Sequence, residues 1–164
     1  MANNGVVSIS EEFPCSVAPT RILRAFYEGH TLIPHIMPHT IKSVDLHYGD
    51  GSIGSLRLVS FVEGGSMKKL KYIIRKIDWE NLMCKYTVFD CDAYSDKLDY
   101  VNGECKFEES AEYGRSICKI ISHYHPKGDA KLEYEEDIKA AKEKTKEFYN
   151  FVHAYLADNP HVCA

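Results

Sequence analysis

Between residues 41 and 125 the chain turns back on itself repeatedly through connections too short to carry a helix, and this limits the fold more than any other feature. Strand patterns cover 41–48, 55–63, 68–77, 81–90, 98–108 and 114–125. Between them lie Gly49-Asp50-Gly51, Gly64-Gly65, Asp78-Trp79-Glu80-Asn81, Asp92 to Asp96 and Glu109 to Gly114. Parallel neighbours need a long crossover, so such turns predict antiparallel hairpins in a meander rather than βαβ units. Residues 6–13 (VVSISEEF) alternate weakly and add an edge strand ending at Pro14, for seven strands in all.

The segments outside the meander read as helices. Pro19 stands where a first-turn proline is tolerated, Ile22, Leu23, Phe26 and Tyr27 form an apolar stripe, and Gly29 suits the stop. Thr31 to Met37 adds one more turn before Pro38, so two short helices in a V are expected. At the other end, Ile138, Ala141, Thr145, Phe148, Val152 and Tyr155 are spaced 3, 4, 3, 4, 3 along a long helix. Glu133, Glu135, Glu136 and Asp137 crowd its start, and Lys139, Lys142, Lys144 and Lys146 come later, the order that the helix dipole favours. Its stripe has one natural place to be buried, the concave face of the curved sheet. The expectation is one α+β domain over residues 1–164: a seven-stranded antiparallel sheet wrapped around a long C-terminal helix, with two short helices.

Gly49, Gly51 and Gly54 fit the G-x-G-x-x-G spacing by which dinucleotide-binding proteins bring pyrophosphate against bare backbone. That fingerprint requires a strand before the loop and a helix after it, because the helix N-terminus holds the phosphate. Here the next segment is Ser55-Leu56-Arg57-Leu58-Val59-Ser60-Phe61, which reads as a strand, and no Lys-Ser or Lys-Thr comes after Gly54. The loop is therefore a turn in a sheet, and no nucleotide cofactor is expected.

With 45% apolar and 12% aromatic residues the chain can build a core, and a net charge of −4 argues against a nucleic-acid partner. The N-terminus lacks a basic region leading into an apolar one, and no stretch approaches the roughly 20 apolar residues of a membrane span. The expected setting is cytoplasmic, away from membranes, as a monomer or weak dimer. Cys15, Cys84, Cys91, Cys105, Cys118 and Cys163 include no C-x-x-C pair, and the expectation is reduced thiols packed as small apolar residues. His123 and His125 share a strand face, and His35 and His39 lie four apart beside Pro34 and Pro38. Neither pair has an adjacent carboxylate or thiol to complete a ligand set, so no metal is expected.

The glycine loop from Gly49 to Ser55, Tyr124-His125-Pro126-Lys127-Gly128-Asp129 before the last helix, and the closing Tyr155-Leu156-Ala157-Asp158-Asn159-Pro160 resemble the pathogenesis-related class-ten proteins, the family of the major birch pollen allergen. The order of elements agrees over essentially the whole chain. The resemblance implies a helix-grip fold with a large internal cavity, a glycine loop that is a structural hairpin, and binding of amphipathic plant molecules such as flavonoids, hormones and alkaloid precursors. Matched position by position, it places Phe26, Ile33, Val59, Phe61, Cys84, Tyr86 and Val88 on the cavity wall. Val101, Gly103, Cys105, Cys118, Ile120, Ser122 and Tyr124 would continue that wall, and Ala141, Lys144, Thr145, Phe148 and Val152 would close it from the helix. Apolar stripes of this kind also pack as ordinary core.

The resemblance implies two functions of different class. One is a defence-related carrier in which apolar burial holds the ligand and Tyr86, Ser122, Tyr124 and Lys144 anchor it. The other is a cofactor-free enzyme of specialised metabolism, a synthase, cyclase or isomerase using Lys144 and Tyr86 with Asp92 or Asp96 at the cavity mouth. A lysine on a helix flank also commonly packs its stem while its amine reaches water. Ribonuclease activity, proposed for some relatives, is not expected: the family's carboxylates are replaced by Tyr48 and His153, and only Asp99 and Tyr155 keep the pattern.

Overall fold

A computed structural model describes residues 5–65, 67–112 and 115–164. The chain runs β1 (Val7–Cys15), α1 (Pro19–Tyr27), α2 (Gly29–Ile36), β2 (Ile41–Tyr48), β3 (Leu56–Phe61), β4 (Lys69–Asp78), β5 (Met83–Phe89), β6 (Leu98–Glu109) and β7 (Ser116–Pro126). A π-helical turn (Tyr134–Ile138) then leads into α3 (Lys139–Asp158). The strands form one antiparallel sheet in the order β1-β7-β6-β5-β4-β3-β2. The meander is as the turns require, and β1 joins it beside β7. Residues 113 and 114, the expected end of the last turn and start of the last strand, lie outside the described residues.

Strict alternation fixes which face is inside. On β6, Val101, Gly103, Cys105 and Phe107 are buried, and on β7 Ser116, Cys118, Ile120, Ser122 and Tyr124 are. These pair across the strands as Val101↔Tyr124, Gly103↔Ser122, Cys105↔Ile120 and Phe107↔Cys118. A one-residue slip would carry all of them to solvent, so burial pins the register.

Four local expectations are corrected. β1 does not stop before Pro14 but passes through it to Cys15, opposite Ile117 and Ser116. On an edge strand a residue without an N–H costs no ladder bond when it faces outward. Gly29 is not the stop of α1. It is the buried first residue of α2, and Glu28, at φ −93° and ψ 14°, makes the corner. Tyr27 leaves the apolar stripe and is exposed, its ring edge-on to Trp79 at 5.7 Å. The stripe of α3 is wider than a 3-4 alternation suggests: Val152 is buried as expected, and so are Tyr149 and Leu156, each one position beyond an expected residue. A helix lying on a core presents three adjacent rows of side chains to it, and the narrow pattern read only two.

The acidic start of α3 includes one residue with a specific structural task. Asp137 is buried, accepts the Glu133 backbone N–H at 2.7 Å and pairs with Lys97 Nζ at 3.0 Å, tying the π turn to the segment before β6. Burial alone would raise its carboxyl, but the bonds from Glu133, Ser95 and Lys97 outweigh it and hold the group below the ordinary carboxylate range. At the opposite end, Arg21 of α1 donates to the carbonyls of Val162 at 2.8 Å and Asn159 at 2.5 Å, which fastens the chain terminus beyond α3 to α1.

Candidate functional site

The inner face of the sheet is lined with aromatic side chains, and the central ones come from β5 and α3. Tyr86 on β5 pairs with Gly103 on β6, and a methyl group at 103 would overlap the Tyr86 ring. The absent side chain lets the ring lie across β6 and bring its hydroxyl to 3.1 Å from that of Tyr149 on α3. Around Tyr149 stand Phe13 (ring centroids 6.0 Å apart), Phe26 (5.1 Å) and Phe148 (5.9 Å), and Phe26 stacks on Phe107 at 5.7 Å. Edge-on and offset contacts of this kind are favoured by the ring quadrupoles, so strand, short helix and long helix are joined through one aromatic cluster.

The phenols here are held neutral. Burial pushes Tyr72 up to about 12, and it drives Tyr86, Tyr94 and Tyr149 well above the ordinary phenol value. Tyr124 rises to about 12 for the same reason. Tyr72, Tyr86 and Tyr94 nevertheless keep accessible surface, unlike the fully buried Tyr124 and Tyr149. A cleft of about 80 Å³ leads toward this region between the short helices and the β2–β3 loop, bordered by Phe26, His30, Arg57, Tyr72 and Ile74. His30 is held below the ordinary imidazole value first by burial and then by the Arg57 charge, against the pull of Glu28.

The glycine loop beside that cleft is a hairpin whose amides are already engaged. Gly49, Gly51 and Gly54 have φ of 107°, 96° and 96°, left-handed values that glycine adopts without strain. The Gly51 N–H donates to Ser55 Oγ, Ser52 to Asp50 Oδ1, Gly54 to the Ile74 carbonyl and Ser55 to the Ser52 carbonyl, each at 3.0 Å. A phosphate cradle needs such groups free and convergent. Here they stabilise the turn, with the Asp50 carboxylate among them.

The residues matched to the cavity wall fall into three groups. Ile33, Val59, Cys84, Val101, Cys105, Cys118, Ile120, Ser122, Tyr124 and Val152 are buried, with no accessible surface at all on Cys84, Cys105 and Cys118, so these thiols pack against neighbouring atoms. Phe26, Phe61, Tyr86, Val88, Ala141, Thr145 and Phe148 are half-buried, and the Thr145 hydroxyl donates to the Ala141 carbonyl of its own helix at 3.0 Å. Lys144, Asp92 and Asp96 are exposed, and both oxygens of Asp92 accept the Lys68 backbone N–H at 3.0 Å. The geometry thus gives the interior hydroxyl groups and aromatic faces, without the lysine and carboxylates suggested for acid–base work. Of the positions compared with ribonuclease groups, Tyr48 is 77% exposed at the end of β2, whereas His153 packs on β1 and β7 at the opposite edge of the strand order.

A larger depression, of about 610 Å³, lies on the outer face of the sheet and is bordered by Arg75, Lys85, Asn102, Glu104 and His123. Its polar groups are bonded to one another: Arg75 Nε donates to Thr87 Oγ1 at 3.1 Å and Thr87 to Asn102 Oδ1 at 2.7 Å. His123 contacts Glu104 at 2.9 Å and Ser8 at 2.7 Å, and His125 stacks on Tyr100 at 4.3 Å. His123 and His125, one of the two histidine pairs singled out in the sequence, therefore serve a surface ladder, and His123 has the carboxylate neighbour that local sequence did not reveal.

A different grouping was not legible in the spacing. Cys15 on β1, Cys118 on β7 and His153 on α3 have their ligand atoms within 4.8 Å of one another.

Sheet, short-helix pair and enclosed long helix define a helix-grip protein with an aromatic, hydroxyl-bearing interior. The chain belongs to the pathogenesis-related protein Bet v 1 family, whose model matches residues 4–156. Among relatives, it is 39% identical to pathogenesis-related protein STH-21 of Solanum tuberosum, covering 98% of this chain and 99% of that one. It is 36% identical to the major strawberry allergen Fra a 1-2 of Fragaria ananassa, covering 95% and 97%. Among solved structures, that of Ara h 8.0201 superposes with a TM-score of 0.80 at 28% identity, covering 94% of this chain and all of the other. The norcoclaurine synthase of Thalictrum flavum superposes at 0.73 with 14% identity, covering 94% and 88%, a likeness of fold. Among the described residues no helix is long and apolar enough to cross a membrane.

Proposed function

We propose that this protein is a carrier for amphipathic small molecules, phenolic compounds or hormone-like and alkaloid-like molecules of similar polarity, held between the inner face of the sheet and α3. The observation that carries the reading is the state of Tyr72, Tyr86 and Tyr94. All three lie so deep that burial governs their phenols, yet all three keep accessible surface. Tyr72 borders the cleft itself, and aromatic walls with a few hydroxyl donors suit a flat, sparsely polar ligand. The cleft between α1, α2 and the glycine loop is the proposed entrance, with Arg57 and His30 at its rim. The six free cysteines suit a reducing compartment such as the cytosol.

Binding is favoured over catalysis because, among the described residues, the groups suggested for acid–base work are not brought to the Tyr86–Tyr149 pair. Phenols kept neutral by burial can donate hydrogen bonds but are not available as bases near neutral pH. Lys144, Asp92 and Asp96 stand on the surface. The decisive experiment is titration with an environment-sensitive apolar fluorophore, then displacement with a panel of phenolics and mass spectrometry after prolonged incubation. Saturable binding near one equivalent, with displaced compounds recovered unchanged, is expected. Conversion of a panel member would replace the carrier reading by an enzyme, and no saturable site would remove both.

A further inference from the structure

Cys15 is the last residue of the edge strand β1, and Cys118 sits on the neighbouring β7. Their register, Phe13↔Cys118 and Cys15↔Ser116, makes them diagonal neighbours on the same inward face. From above, α3 brings His153 down so that its Nε2 lies 3.6 Å from Cys118 Sγ. The three ligand atoms fall within 4.8 Å of one another. Cys15 and Cys118 are 3% and 0% exposed, His153 is half-buried, and the Phe13 ring packs on the imidazole at 5.4 Å.

We propose that Cys15, Cys118 and His153 form a zinc site. The chemistry of the set is that of a borderline-soft cation: two thiolates and one imidazole, the donors from which protein zinc sites are built. The geometry suits the ion. With Zn–S near about 2.3 Å and Zn–N near about 2.0 Å, a tetrahedral centre separates sulfur from nitrogen by about 3.5 Å. The observed Cys118–His153 separation is 3.6 Å. Among the described residues no fourth His, Cys, Asp or Glu joins the group, which leaves one tetrahedral position for water or another small donor. Binding converts two thiols to thiolates and releases two protons, with the imidazole entering neutral. The bound ion would staple the C-terminal half of α3 to β1 and β7, two strands already joined to each other by their backbone ladder. The inference does not depend on the small-molecule reading, although Cys118 is also one of the positions matched to the cavity wall and Phe13 packs on both His153 and Tyr149.

The test uses the full chain, reduced and stripped of metal, titrated with Co²⁺ and then Zn²⁺. A thiolate-to-cobalt charge-transfer band and intense tetrahedral visible bands should grow to one equivalent and be bleached by Zn²⁺. Zn²⁺ should raise the Tm by several degrees and slow alkylation of two of the six thiols, identified by peptide mapping as Cys15 and Cys118. Cys15→Ala and Cys118→Ala should abolish the band, and His153→Gln should weaken binding roughly tenfold or more. Cys91→Ser, at a half-buried thiol outside the group, should leave it unchanged. Absence of the band in the wild type overturns the proposal, as does a band that survives both cysteine substitutions in folded protein. Should those variants not fold, the wild-type alkylation map still decides, because zinc protection of any other pair of thiols also overturns it.

Discussion

Tyr86 and Gly103 are directly opposed on β5 and β6, and the ring of one occupies the space that a side chain on the other would fill. The glycine is required by a close approach rather than by its backbone angle. Gly103→Ala should force the ring aside, break the Tyr86–Tyr149 contact and destabilise the fold by about 1–3 kcal/mol, the usual range for overpacking. In a Tyr86→Ala background the same substitution should cost much less. Urea melts of the four proteins give the answer, and an equal cost in both backgrounds would mean that the two residues do not share space.

The hydroxyl pair can be separated from the rings that carry it. Tyr86→Phe and Tyr149→Phe each remove one partner of the 3.1 Å contact, and each should cost about 0.5–1.5 kcal/mol. Because the loss is shared, the double substitution should cost less than the sum of the singles. Under the carrier reading, Tyr86→Phe should weaken a phenolic ligand several-fold while leaving a purely apolar fluorophore nearly unaffected. Equal effects on both ligands would show that the hydroxyl does not anchor them.

Much of this architecture is legible in the sequence, and the parts that are not share one cause. Turn lengths between 41 and 125 dictate the antiparallel meander, and period-two patterning on β6 and β7 dictates the inner face, because both are local consequences of chain geometry. The glycine loop is readable for the same reason, since the chain leaves Gly54 as a strand and not as a helix. Tyr149 and Leu156 are hidden because the width of a buried helix face depends on what it packs against. Lys144 is matched to the cavity wall by the family resemblance and is exposed in the fold. The grouping of Cys15, Cys118 and His153 depends on one strand register and one helix placement, neither of which leaves a spacing signature.

Asp137 supplies a pH-dependent prediction. Its carboxyl is held below the ordinary value of 3.8, with burial opposing and the bonds from Glu133, Ser95 and Lys97 prevailing. A depressed folded value stabilises the fold fully above the unfolded value, and that contribution disappears as pH falls through the folded one. Asp137→Asn should therefore lower the Tm at neutral pH, and the gap to wild type should close as pH drops below about 3.8. A gap that stayed constant down to that range would show that the ionised form is not what ties the π turn to Lys97.

The final prediction compares two phenylalanines of the aromatic cluster. Phe107 is 1% exposed, packed between β6 and α1, and Phe107→Ala should cost about 3–5 kcal/mol, as expected where a void is left in a closed core. Phe148 on α3 also meets Phe26 and Tyr149 edge-on, both at 5.9 Å, yet it keeps accessible surface. If that surface borders internal space, truncation enlarges an existing opening and loses fewer contacts, so Phe148→Ala should cost only about 1–2 kcal/mol. It should also change the affinity of an apolar fluorophore several-fold, because the lost ring would be part of the binding wall. Urea melts beside fluorophore titrations of the wild type and both variants test the two effects separately. A loss for Phe148→Ala as large as that for Phe107→Ala, together with an unchanged fluorophore affinity, would place Phe148 in solid core and deprive the carrier reading of its wall on α3.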